Sequence, residues 1–165
     1  MSSRGSLQQG FSLIEILVAL TIVSVGLLGL VGFQIHTQKI SSNAYYHTQA
    51  VIITHDMAER IRANPIANHQ QQYHLKQAVQ NTNCHKQVGC TPQNMAKNDL
   101  FEWYETIKQG LPKGSGVVCI DSTPVDGTPN ASACDNQGTQ YAVKLWWHDS
   151  SIDKIQRSVM MVGAE

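Results

Sequence analysis

The sequence lacks an excess of charge of either sign. Its 12 lysine and arginine residues balance its 12 aspartate and glutamate residues, so the formal net charge is zero with histidine neutral. This balance gives no support for a general polyanion-binding surface and does not favour a nucleic-acid partner. The 165 residues are a one-domain length.

Familiar catalytic motifs are also absent. The sequence has no G-x-S-x-G, P-loop or H-E-x-x-H pattern, and its scattered acidic residues show no paired-acid signature. We therefore expect no enzymatic activity, no small-molecule substrate and no cofactor.

Cysteine does not occur in the first half of the chain. The four cysteines are Cys84, Cys90, Cys119 and Cys134. An even count in a small exported domain favours two disulfides, and sequence alone does not choose among the three possible pairings. We favour the local pairs, 84 with 90 and 119 with 134, because each brackets a loop containing Gly, Pro or Asn. The spacing lacks the C-x2-4-C pattern of structural zinc, so we expect no metal site.

Charged side chains are almost missing from one long apolar run. From Phe11 to Phe33 the only ionisable side chain is Glu15. At about 1.5 Å per residue, this run of about 23 residues spans the roughly 30 Å hydrocarbon core of a bilayer. Arg4, the only charged residue before the run, favours a cytoplasmic N-terminus. We therefore predict a single membrane-spanning helix.

We compare three interpretations of this apolar run. A secretory signal has a shorter apolar core of about 7–15 residues and a small-residue cleavage site, which is not found here. A plain signal anchor fits the length and orientation but does not explain Glu15. The third is a processing and assembly signal, with the sequence Gly10-Phe11-Ser12-Leu13-Ile14-Glu15.

This segment resembles the class III signal of type IV prepilins and pseudopilins. In that family a membrane aspartyl protease cuts after the glycine and then N-methylates the new terminus. The resemblance implies cleavage between Gly10 and Phe11, N-methylation of Phe11, and a prepilin peptidase/methyltransferase as a partner.

Further motifs resemble the PilV-type minor pilins, also called type IV pilus modification proteins. The resemblance covers most of the chain and is strongest over residues 10–65. It implies a bacterial inner-membrane subunit with a periplasmic head, which joins other minor pilins and the major pilin in a filament at the cell surface. The motifs are Gly26-Leu27-Leu28-Gly29-Leu30 and the ten residues from Asp56 to Pro65, DMAERIRANP.

Glu15 is the candidate assembly residue. A carboxylate within a bilayer-spanning run costs a few kcal/mol, which a position near the membrane edge reduces. Cleavage after Gly10 would expose an α-ammonium on Phe11, and Glu15 of one subunit could meet that ammonium on its neighbour. An unpaired charge in an apolar core is costly, so the pair would set the register between subunits.

The rest of the chain predicts an α+β, type IV pilin-like fold. Three- and four-residue steps predict that the long helix continues as an amphipathic helix until Asn64-Pro65 ends it. A second helix begins after Thr91-Pro92 and stops near Gly110. Three strands at 116–121, 140–148 and 155–162 predict a small antiparallel sheet packed on the long helix. The predicted amphipathic face comprises Ile40, Ala44, His47, Val51, Thr54, Ala58 and Ile61.

These predictions divide the chain into four segments. They are a cleaved leader over residues 1–10, a transmembrane and filament-core helix over 11–35, its amphipathic continuation over 36–64, and a disulfide-stabilised head over 65–165. The resemblance implies a minor pilin that takes part in pilus assembly or initiation, and hence in adhesion, twitching motility or DNA uptake. Alternatives are a type II secretion pseudopilin, a membrane-anchored binding module such as a DNA receptor, and an anchored domain with no filament role.

Processing and oxidation predict a defined mass for the protein taken from its native membrane. Intact-mass spectrometry should show loss of residues 1–10, one added methyl group, and four missing hydrogens for two disulfides. Mature protein that retains residues 1–10 would contradict the processing signal and favour a plain anchor.

Overall fold

The computed structural model describes residues 12–75, 77–149 and 152–163. The chain divides into two units, Met1–Ser41 and Ser42–Glu165, and one helix runs through the boundary between them. The helices are α1 (Leu13–Ala63), α2 (Pro65–His69) and α3 (Pro92–Gly110), with a 3-10 turn at Thr82–His85; the strands are β1 (Ser115–Ile120), β2 (Gln140–Asp149) and β3 (Lys154–Gly163).

In the first unit, α1 presents an apolar surface on all sides. Every described residue of this unit is exposed, and the helix is long and apolar enough to cross a membrane, with a mean hydropathy of 2.6 in its most apolar window. The hydroxyls of Thr21 and Ser24 donate to backbone carbonyls within the helix, at 2.8 and 2.7 Å. Because these hydroxyls are satisfied internally, they are compatible with a lipid or protein-core environment.

In the second unit, which we call the head, α1 packs through a narrow stripe. The predicted face is confirmed at Thr54, Ala58 and Ile61, which are buried. It is wrong at its start, because Ile40, Ala44 and His47 are exposed. Three- and four-residue steps also fit the neighbouring stripe, and only packing against the rest of the head selects between the two. The buried residues of α1 are Ala50, Ile53, Thr54, Met57, Ala58 and Ile61.

The second helix, α3, confirms its sequence prediction. Thr91 caps its N-terminus by accepting from the Asn94 N–H, and Pro92 occupies its first turn. Its apolar stripe enters the core, where the fully buried Trp103 donates its indole N–H to the Ile53 carbonyl of α1 at 2.9 Å. This hydrogen bond and the surrounding core attach α3 to α1.

The sheet has the strand order β1-β2-β3, and both pairings are antiparallel. The three predicted strands are confirmed to within one residue at each end. Alternate residues of β2 point to the core as predicted, and these are Tyr141, Val143, Leu145 and Trp147. The opposite face of β2 is also buried at Ala142, Lys144 and Trp146, because the loop over residues 121–138 covers it.

The fold is therefore α+β, with a long N-terminal helix and a small antiparallel sheet, as predicted. For residues 66–88 the polar sequence predicts an irregular connection with short helical pieces. The structure places most of α2 and the 3-10 turn there. The leader prediction falls on residues 1–10, which lie outside the described residues.

Gly116 of β1 provides a test of this packing. A Cβ at Gly116 would lie 2.5 Å from Trp103 Cη2 and 2.8 Å from Ile107 Cδ1. We expect Gly116→Ala to lower the free energy of unfolding by about 1–3 kcal/mol through overpacking. The matched control is Gly163→Ala in β3, where a Cβ meets nothing within 4 Å. Chemical denaturation of the full chain in detergent measures both, and equal stability of the two variants would contradict the close packing of α3 on β1.

Candidate assembly site

Glu15 lies in the first turn of α1. Its backbone N–H donates to the Ser12 carbonyl at 3.0 Å, and its side chain is exposed. An acid in the first turn interacts favourably with the positive end of the helix dipole. Across residues 12–75, 77–149 and 152–163, no cationic side chain lies within salt-bridge distance of this carboxylate. Gly10 and Phe11, the predicted cleavage and methylation residues, lie outside the described residues.

The DMAERIRANP motif lies at the end of α1, and its charged residues have two different roles. From the sequence alone, the charges of Glu59, Arg60 and Arg62 predict a solvated face of the helix. Glu59 and Arg62 do form an ion pair with each other at the surface. Arg60 instead turns inward and contacts carboxylates on α3, so the solvated-face interpretation is wrong for this residue.

Arg60 connects α1 to α3 through several carboxylates. Its Nε donates to Asp56 Oδ2 at 2.8 Å, and its Nη1 donates to Glu102 Oε2 at 2.8 Å and to Asp99 Oδ1 at 3.4 Å. Partial burial would raise the pKa of Glu102, but hydrogen bonds from Arg60, His85 and Asn98 lower it to about 2. Glu102 is therefore held ionised as the partner of Arg60.

The same network extends to the connection between α2 and α3. The buried Tyr73 hydroxyl donates to Asp99 Oδ2 at 2.6 Å, and His85 contacts Glu102 from the 3-10 turn. Burial raises the pKa of Asp99 despite the bonds from Tyr73 and Arg60. These bonds hold an otherwise irregular segment against two helices. Sequence reasoning missed the network because its members are up to 42 residues apart.

A second ionic cluster lies on the other face of the sheet. The Lys144 side chain is fully buried and forms an ion pair with the buried Asp121. Its Nζ also donates to Asp126 Oδ1 at 2.9 Å and to the Ser132 carbonyl at 2.9 Å. Burial alone would lower the pKa of Lys144, but the bonds to Asp121 and Asp126 raise it. Lys144 therefore fixes the loop 121–138 onto the sheet.

The only sequence signal for this cluster was the position of Lys144. It stands at the centre of a strand whose neighbours on both sides are apolar. The alternation of β2 placed Lys144 on the face opposite the core, where a lysine is expected to be solvated. Burial of that face depends on the loop 121–138, which has no periodicity to predict its path.

Two disulfides complete the head, Cys84–Cys90 and Cys119–Cys134. They are the local pairs that the sequence favoured. The first lies at the 3-10 turn, and the second connects β1 to the loop 121–138. The side chains of Cys119, Asp121 and Cys134 lie close enough together to resemble a metal site. The two sulfurs are bonded to each other, however, and so they are not available as thiolate ligands.

An apolar N-terminal helix that continues into a small α+β head is the architecture of a type IV pilin-like protein. Residues 5–31 match the family model of the prokaryotic N-terminal methylation motif, and residues 32–101 match the type IV pilin Tt1218 family. These two matches, which together span residues 5–101, support a type IV pilin, a class of structural subunit. Neither the comparison with curated proteins nor the comparison with solved structures gave a match.

The Lys144 cluster predicts a characteristic pattern of stability changes. Lys144→Met leaves the Asp121 carboxylate buried without its partner, so we expect a loss of about 3–5 kcal/mol in the free energy of unfolding. Adding Asp121→Asn removes the uncompensated charge, and the double variant should be more stable than Lys144→Met alone. Denaturation of the full chain in detergent with both disulfides intact provides the measurement.

The control for that series is Lys154→Met, which removes an exposed lysine from β3. Its effect should stay within about 0.5 kcal/mol. If Asp121→Asn destabilised the Lys144→Met variant further, the lysine would act through packing of its stem rather than through its charge.

Proposed function

We propose that this pilin is a minor subunit of the PilV type, which takes part in assembly or initiation of a type IV pilus. The observation that carries the proposal is Glu15, the one charged side chain of residues 13–33, in the first turn of α1, where the helix surface is predominantly apolar and exposed. In a filament of staggered helices, the Glu15 carboxylate meets the N-methylated α-ammonium of Phe11 on a neighbouring subunit.

The energetic argument concerns both charges. An apolar filament core strengthens the attraction between a carboxylate and an ammonium, because little water screens them. The same environment makes either charge costly when it is alone. A subunit displaced along the filament axis would leave both charges unpaired, so the pair favours one axial register. The apolar surface of α1 gives affinity but does not by itself select a register.

The first unit suits both a membrane and a filament. Its internal hydroxyls are hydrogen-bonded, and a Cβ at Gly26, Gly29 or Gly32 would meet nothing within 4 Å. Nothing in the described part of the chain requires these glycines, which supports a role in close helix approach between subunits. We infer that the subunit waits in the inner membrane with a cytoplasmic N-terminus and a periplasmic head, and is processed there by a prepilin peptidase/methyltransferase.

A pseudopilin of a type II secretion system would use the same N-terminal features. The match of residues 32–101 to a type IV pilin family favours the pilus, and so does the DMAERIRANP motif. Adhesion, twitching motility and DNA uptake are the outputs of a pilus that this subunit would serve. A pilus operon around the gene would agree with the proposal, and a secretion operon would favour the pseudopilin.

Substitution of Glu15 tests the charge pair. Glu15→Gln keeps the size of the side chain and removes its charge, and Glu15→Ala removes both. We expect each variant to insert into the membrane and to be cleaved after Gly10, but to enter sheared filaments at least about tenfold less than the wild type. Quantitative immunoblotting of the filament and membrane fractions measures this ratio.

The control is Gln38→Ala, which removes an exposed polar side chain from the same helix without changing charge. It should enter filaments as the wild type does. Normal incorporation of Glu15→Gln would overturn the charge-pair mechanism, whereas failure of all variants to be cleaved would indicate a defect in processing instead.

A further inference from the structure

Two neighbouring cavities lie between the tip of the loop 121–138 and the start of β3. Their volumes are about 330 and 290 Å³, and both are lined by Pro129 and Ile155. The first also contacts Trp146 and Arg157, and the second also contacts Lys113. We call the two cavities together the loop–sheet groove. Cavities of about this size commonly hold small polar ligands.

The first cavity is lined by a residue with an unpartnered donor. Trp146 is only 3% exposed, and within the described part of the chain its indole Nε1 has no hydrogen-bond partner. An indole N–H can donate but cannot accept. Buried polar groups in native proteins are nearly always paired. This Nε1 has less than 1 Å² of accessible surface, so it lies behind the groove wall and reports on binding in the groove rather than contacting the ligand.

The groove is also lined by cations without anionic partners. Arg157 is in register with Trp146 across β3 and β2, and Lys113 lines the second cavity. Both are exposed, and no carboxylate of residues 12–75, 77–149 and 152–163 lies within salt-bridge distance of either. Asp126 of the loop 121–138 and Asp153 before β3 are engaged by Lys144 and His148. The groove therefore has local positive charge on a head with no overall charge excess.

The remaining lining groups distinguish between classes of ligand. Thr128, Asn130 and Gln156 carry hydroxyl or amide groups, which donate and accept as sugar hydroxyls require. Trp146 and Trp147 are each only 3% exposed, so they offer no open ring on which a nucleic-acid base could stack.

We propose that the loop–sheet groove binds a carboxylate-bearing oligosaccharide of the uronic-acid type. The guanidinium of Arg157 suits a carboxylate because its planar fork can donate two parallel hydrogen bonds. Lys113 interacts with a second carboxylate along the sugar chain. The amide and hydroxyl groups pair with the remaining hydroxyls.

The wall of the groove is held in place before any ligand arrives. The Cys119–Cys134 disulfide and the bonds from Lys144 to Asp126 and Ser132 attach the loop on both sides of its tip. At the tip, Gly127 has a φ of +84°, and a Cβ there would collide with the Ser132 carbonyl. A loop held in this way loses little conformational freedom on binding, which favours affinity.

The test uses the full chain in detergent and a short oligouronate as the probe. Titration followed by isotope-edited NMR should move the indole N–H resonance of Trp146. The indole resonance of Trp103, which is bonded to the Ile53 carbonyl, should stay in place. Binding should weaken with added salt. Parallel titrations use a neutral oligoglucan, single-stranded DNA and a polyglutamate peptide, and each should bind more weakly than the oligouronate.

Charge-neutralising variants locate the site. Arg157→Gln and Lys113→Gln should each weaken oligouronate binding by roughly fivefold or more. Lys86→Gln removes an exposed lysine elsewhere on the head and should leave the affinity unchanged.

Three results would overturn the proposal: no oligouronate binding by the wild type, equal loss of affinity in Lys86→Gln and Arg157→Gln, or tighter binding of DNA or polyglutamate. The site lies entirely in the head and does not involve Glu15. A negative result here therefore leaves the proposed role in pilus assembly intact, and an assembly-defective Glu15 variant should still bind the sugar.

Discussion

The packing of α1 into the core of the head is the constraint on which the rest of the head depends. The stripe from Ala50 to Ile61 meets the sheet and α3, and the indole of Trp103 donates directly to the Ile53 carbonyl. A bulky indole can reach this position only because β1 has glycine at position 116, where a Cβ would collide with the ring. One helix face, one tryptophan and one glycine thus set the distance between α1, α3 and β1.

Two ionic networks then attach the irregular segments to this core. Arg60 and Tyr73 hold the segment between α2 and α3 through Asp99 and Glu102, and Lys144 holds the loop 121–138 through three oxygen partners. Buried charges add little net stability compared with apolar packing, but an incomplete network is strongly unfavourable. Such networks therefore select one loop conformation among many. Each network lies beside a disulfide, and the two kinds of restraint act on the same segments.

The two units of the chain are suited to opposite surroundings, the first to an apolar one and the second to water. The first unit exposes a continuous apolar surface, which is stable only in lipid or against other apolar helices. The second unit buries its apolar residues and carries exposed charges of both signs. A pilin needs both properties, because it passes from a membrane to a filament while its head stays in water. In the proposed charge pair, the single acid near the start of the apolar surface would give this transfer a chemical basis that hydrophobicity alone does not supply.

The sequence by itself determined the features that depend on local or periodic signals. These include the apolar run with Glu15, the end of α1 at Asn64-Pro65, the Thr91 cap of α3, the three strands and the short-range disulfide pairs. Only the tertiary structure decided which of two adjacent stripes of α1 is buried, that Arg60 turns inward, and that Lys144 is covered. The physical reason is that each of these outcomes depends on partners far away in sequence. Hydrophobic periodicity carries no information about such partners. The presence of a charged residue in a strand or helix does not reveal whether a loop will cover that residue.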